Sequence, residues 1–142
     1  MSSLDCYKNF NDALKFFMKE LVRLYPDIAE LKFMLFLYKT MKKVSKKSPQ
    51  RYFHSLIEEH SEDLLKRDMT FFMGKEFDDP VSTKVITRFK KEYELMTDDN
   101  KEMVWKHMVV LYHLSVKCTK FDTDYVIIKQ DGLQAQNPGC SR

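Results

Sequence analysis

The chain predicts an all-α, single-domain bundle of about five main helices, and three observations carry that expectation. The first is the scarcity of glycine: 142 residues contain three, and only Gly74 lies before residue 132. Compact antiparallel sheets use Gly and Asn-Gly turns, which are missing here. The second is apolar spacing of three and four residues over most of the chain, the period of a helix with one buried face. The third is a set of helix-start signals, Ser48-Pro49, Asp79-Pro80 and Thr97-Asp98-Asp99-Asn100. In these, a short polar side chain accepts from first-turn amides and proline loses no hydrogen bond. A chain of this length buries roughly two thirds of its unfolded surface and folds without covalent staples.

Taken in order, Phe10, Leu14, Phe17, Leu21 and Leu24 form one stripe on a first helix, with Asn9 or Asn11 as cap and Pro26 as stop. Asp27 is the expected cap of a second helix with the stripe Ile28, Leu31, Leu35, Tyr38 and Met41, widened by Met34 and Phe36. The short Leu-Tyr-Pro-Asp link makes these two helices a hairpin. A third helix follows Ser48-Pro49 through Tyr52, Phe53, Leu56 and Ile57, and Ser61 restarts a short one with Leu64 and Leu65. Asp68 to Asp79 fits no regular pattern and reads as one helical turn and a buried loop. Pro80 opens a helix through Val81, Val85, Ile86, Phe89, Tyr93 and Met96. The last long helix carries Val104, Trp105, Met108, Leu111, Tyr112 and Ser115. Apolar residues cover more than half its circumference, which makes it the expected central helix. Beyond Cys118 the pattern fails, and the β-prone Tyr125 to Ile128 has no partner strand. Residues 1–118 are therefore the expected bundle domain and 119–142 a flexible tail.

Composition removes several classes of function. Phosphate-cradling loops need clustered glycines, so Walker, Rossmann and kinase-type nucleotide sites are excluded. Three widely spaced cysteines (Cys6, Cys118, Cys140) without a CxxC pair imply reduced thiols and no disulfide framework. The N-terminus lacks the continuous apolar core of a signal peptide. The longest apolar run, Leu31 to Tyr38, is interrupted by Lys32 and is too short to cross a bilayer, so no membrane insertion is expected.

No metal site or cofactor is expected either. His54 and His60, like His107 and His113, stand six residues apart, whereas ligands on one helix want three or four. Acids occur as runs at helix starts or on solvated faces, and no Gly-x-Ser-x-Gly elbow is present. The expectation is a non-enzymatic domain.

Two segments stand out as binding candidates. Residues 31–57 hold seven basic side chains and no acid, against a net charge of +3 for the whole chain. Lys39, Lys42, Lys43, Lys46, Lys47 and Arg51 would form a band suited to phosphate, with Tyr38, Tyr52 and Phe53 as stacking faces. Cations at a helix C-terminus also complement its dipole, and a lysine run between helices is what a solvated linker looks like. The second segment, MTFFMGKEF, holds apolar residues that periodicity does not absorb. Phe71, Phe72, Met73 and Phe77 are its candidate partner-binding residues, in keeping with the adaptability of Met-rich surfaces.

Three phrases also carry a resemblance: FNDALKFFMKELVRLYPDIAELK, LLKRDMTFFMGKEF and TDDNKEMVWKHMVVLYHLSVK. Over residues 10–118 the chain resembles small helical proteins of nucleocytoplasmic large DNA viruses. The matching positions are Tyr25-Pro26-Asp27, Asp68 to Phe72, and Asn100 to Lys106. The resemblance implies a viral product made inside host cells, in cytoplasm or nucleus. A virion component, such as a minor capsid or core-associated protein, or a factor acting on host proteins would fit. It implies no catalytic residue. The viral Bcl-2-like class, of similar size, is disfavoured because Trp105 stands in Val-Trp-Lys and not in an Asn-Trp-Gly-Arg step. Histone-like readings fail because arginine is scarce and the long central helix of that class is not expected. The sequence thus supports a structural or protein-interaction module whose partners are other virion or host proteins. The alternative is a DNA- or RNA-binding protein using residues 39–51.

Overall fold

The computed structural model describes residues 3–58, 61–67 and 80–122. Those residues form α1 (Ser3–Leu24), α2 (Ala29–Val44), α3 (Ser48–Ile57), the short α4 (Ser61–Leu65), α5 (Pro80–Leu95) and α6 (Asp98–Phe121). Five main helices make an all-α bundle, and no strand occurs among the described residues. Asp68 to Asp79, including Phe71, Phe72, Met73 and Phe77, lie outside the described residues. So do Tyr125 to Ile128 and the rest of 123–142.

α6 is the hub. It packs along α1 more extensively than any other pair of helices and also touches α3 and α4. Its Val104, Trp105, Leu111, Ser115 and Cys118 are buried, as expected for the helix with the widest apolar arc. α1 and α2 form the expected hairpin, and α3 and α5 close over α2. The main core joins Tyr7, Phe10, Phe17 and Leu21 of α1 to Ile28, Leu31, Met96, Val104, Leu111 and both Cys6 and Cys118. A smaller cluster of Ile57, Leu64 and Trp105 sits under α3 and α4, bridged to the first by Phe53, Phe89, Tyr93 and Met108. There the Trp105 indole N–H donates to the Tyr93 hydroxyl at 2.8 Å, which satisfies the one polar atom of a buried ring.

Several helix ends differ from expectation, each for a physical reason. α1 begins at Ser3, so Asn11 lies inside it; buried at that point, its amide donates to the Lys46 carbonyl at 2.8 Å. Asp27 is exposed and does not cap α2. Ile28 takes the cap position because its side chain is worth more in the core than a polar cap is at the surface. Ser48 is the first residue of α3, not its cap, and Ser45 Oγ instead accepts from the Lys47 amide at 3.2 Å. Thr97 behaves as predicted: its Oγ1 accepts from the Asn100 amide at 3.2 Å, with Asp98 and Asp99 in the first turn. α6 runs to Phe121, three residues beyond the expected domain edge at 118, and Asp122 behind it is buried.

Candidate interaction surfaces

The basic segment does not remain one band. Lys39, Lys43 and Lys46 are exposed and Lys42 is half-buried at the end of α2. Lys47 and Arg51 turn inward. Lys47 Nζ lies 3.1 Å and Arg51 Nη2 3.6 Å from Asp122 Oδ2, while Tyr7 donates to the same oxygen at 2.5 Å. The Lys47 ammonium also sits 5.5 Å from the centre of the Tyr7 ring. Asp122 is only 2% exposed, and a carboxylate that deep requires such partners. Burial, then the hydrogen bond to Asp122 and its charge, push the Tyr7 phenol far above its ordinary value, against an opposing pull from Arg51. Two of the six basic residues are thus structural.

A second polar group lies one turn along. Gln50, fully buried, donates from Nε2 to the Ser115 carbonyl at 3.1 Å and to Ser115 Oγ at 2.9 Å. Ser115 Oγ is 3.4 Å from His54 Nδ1, and His54 Nε2 is 3.1 Å from Glu58. Serine, histidine and glutamate in that order have the composition of a hydrolytic triad. The geometry gives it another role. Ser115 is 0% exposed in the middle of α6, with its hydroxyl engaged by Gln50, so no acyl group has room at Oγ. The group staples α3 to α6.

Of the other histidines, His60 lies outside the described residues, and His107 and His113 are both engaged with aromatic rings. His107 stacks on Phe17 at 4.8 Å, with rings 15° apart, and its pKa is lowered by burial against a weaker opposing effect of Glu20. His113 is exposed and meets the edge of Tyr112. Among the described residues no three potential ligands converge on a metal position. No described helix is long and apolar enough to cross a membrane. A cavity of about 10 Å³ between α1, α2 and α5, lined by Leu21, Tyr25, Ile28 and Phe89 among others, has room for about one water.

Among the described residues the exposed large apolar side chains include Phe16, Leu95 and Phe121 on other helices, and an aromatic pair on the outer face of α2. The expected apolar arc of α2 is widened to include Phe36, and the structure reverses this. At about 100° per residue, Phe36 lies roughly 140° and 200° around the helix from the buried Leu31 and Tyr38. It therefore occupies the solvent pole, 61% exposed, with Phe33 beside it at 43%. The two rings lie 6.3 Å apart and 20° from parallel. Lys32, Lys39 and Lys43, all exposed, share Phe36's side of the helix within about 60°. α2's one acid, Glu30, is on another side and lines the small cavity. The sequence signal that could have found this face is the period itself: Phe36 falls off the Ile28–Leu31–Leu35–Tyr38 stripe.

Compared with known protein families, curated proteins and solved structures, the chain matches none.

Proposed function

We propose that this chain is a non-enzymatic helical protein-interaction module of a large DNA virus, either a minor virion component or a factor engaging host proteins. The observation that carries the interaction reading is the phenylalanine at the solvent pole of α2. A large apolar side chain turned away from the core gains little from folding and exposes apolar area to water. The buried Ser115 and the small cavity favour binding through surfaces over chemistry in a pocket. The viral reading rests on the sequence resemblance over residues 10–118, which also favours synthesis in host cytoplasm or nucleus. Mass spectrometry of purified particles tests it: the chain copurifying at fixed stoichiometry supports a virion role, and its absence leaves the host-directed one.

A second reading, nucleic-acid binding, draws on Lys39, Lys42, Lys43 and Lys46, since Lys47 and Arg51 are engaged with Asp122. Four phosphate contacts on a single strand correspond to a log–log salt slope of about −3. A titration of DNA binding against salt measures it, and no binding at low salt removes this reading.

A further inference from the structure

The outer face of α2 fits one kind of partner. We propose that Phe33 and Phe36, framed by Lys32, Lys39 and Lys43, dock an acidic amphipathic helix of a partner protein; the inference rests on the interaction reading above.

Charge complementarity is the first argument. The face carries three exposed ammonium groups and no carboxylate, so a partner must bring negative charge or leave these cations facing its own. Ring geometry is the second. Phe33 and Phe36 lie 6.3 Å apart, centre to centre, and nearly parallel. The pair makes one apolar ridge, which matches aliphatic side chains at i and i+3 or i+4 of an opposing helix.

The identity of the cations is the third argument. α2 holds lysines and no arginine, so it lacks the planar fork that reads phosphate bidentately. Lysine ammonium groups on flexible stems suit a row of carboxylates. A bilayer fits less well. Lys32, Lys39 and Lys43 flank Phe36 on its own side of the helix, and immersing the ring would immerse them with it. Length agrees too: 16 residues rising about 1.5 Å each present about 24 Å, enough for three to four turns of a second helix.

The test uses the full chain and three probes in parallel. These are a synthetic helical peptide with leucines at i, i+3 and i+7 flanked by glutamates, a 20-nucleotide oligo-dT, and phosphatidylserine-containing vesicles. The peptide is expected to bind saturably. Phe36→Ser should weaken it about tenfold or more with the circular dichroism unchanged, since the residue touches no core. Lys39→Glu with Lys43→Glu should abolish it and transfer binding to a peptide with lysines in place of the glutamates. Failure of the acidic peptide to bind overturns the proposal. So does binding indifferent to these changes, or selective binding of oligo-dT or vesicles through the same residues.

A photo-crosslinking amino acid placed at position 36, and separately at the exposed Phe16, then separates this proposal from the reading beneath it. Adducts at 36 that map to an acidic helical segment are expected. Protein adducts from position 16 alone remove the α2 proposal and leave the interaction module standing. Adducts from neither position remove both.

Discussion

The phenolic hydroxyl of Tyr7 donates to Asp122 Oδ2 across 2.5 Å and joins the start of α1 to the residue that ends α6, 115 positions later. With Lys47 and Arg51 on the same carboxylate, one buried acid ties together α1, the α2–α3 turn, α3 and α6. Breaking it has a calculable direction. Tyr7→Phe removes one donor and leaves both cations, so a loss of about 1–2 kcal/mol is expected. Asp122→Asn leaves two partly exposed cations without their charge partner and should cost about 2–4 kcal/mol. Urea unfolding of both single variants and the double variant measures their coupling. Additive losses would show that the bond carries no energy of its own. A chain ending at residue 118 should also melt below one ending at 125, because only the longer one retains the last turn of α6 and Asp122.

Alkaline pH probes the same bond. Burial raises the Tyr7 phenol, chiefly, and burial also raises that of Tyr38 above the ordinary 10.0. Above pH 10 the unfolded chain releases these protons while the folded chain keeps them, so stability falls as pH rises past that point. Absorbance at 295 nm should show tyrosines that ionise only as the circular dichroism signal is lost. Tyr7→Phe should reduce that late fraction; an unchanged titration would contradict the assignment.

His107 sets a slope on the acid side. Burial against Phe17 lowers its pKa from 6.5, with Glu20 opposing. The unfolded state then binds more protons below pH 6.5, and stability falls as pH drops through 6.5 until the folded imidazole also protonates. The melting temperature should therefore drop between about pH 7.5 and pH 5.5, and His107→Phe should make that drop smaller. Equal drops in both proteins would rule out His107 as a cause.

The two core cysteines should be chemically silent. Burial, the neighbouring Cys6 and the charge of Asp122 push the Cys118 thiol up to about 12, and both sulfurs are almost wholly excluded from solvent. The thiolate is the reactive form, so iodoacetamide at mildly alkaline pH should leave Cys6 and Cys118 unmodified until urea unfolds the chain. Peptide mapping reads this directly, and native labelling of Cys118 would show that the α1–α6 interface opens.

Arg67, just beyond α4, holds φ at 58°, the left-handed region that favours glycine, and its guanidinium pairs with Glu102 of α6. The exposed ion pair is worth about 0–1 kcal/mol, comparable with the backbone cost of a side chain in that conformation, about 1 kcal/mol. Arg67→Gly should thus leave stability level or slightly raised. Arg67→Val, which keeps the conformational cost and adds branching, should lose about 1 kcal/mol or more. Thermal melts of the pair decide it.

Much of the fold was legible because helical burial is periodic. The stripes Phe10–Phe17–Leu21 and Val104–Leu111–Ser115 identify buried faces by spacing alone, and Thr97 identifies a helix start by its side chain. Phe36 was misassigned because hydrophobicity says that a residue favours burial, not that a neighbouring helix is there to cover it. The basic run was legible as charge, yet its division between solvent and core was not. Whether Lys47 pairs with an acid depends on Asp122, which lies 75 residues away and reaches it only when α6 packs on α1.

Local spacing, caps and the lack of glycine were enough to determine an all-α chain with α6 at its centre, since they act within a few turns of helix. Tertiary packing alone decided which polar groups are core and which are surface. It drew Tyr7, Lys47 and Arg51 onto Asp122 and closed Ser115 under Gln50 and His54. The reason is that a side chain's periodic position states only its angle around its own helix. The energy of that angle is set by what other helices bring to meet it.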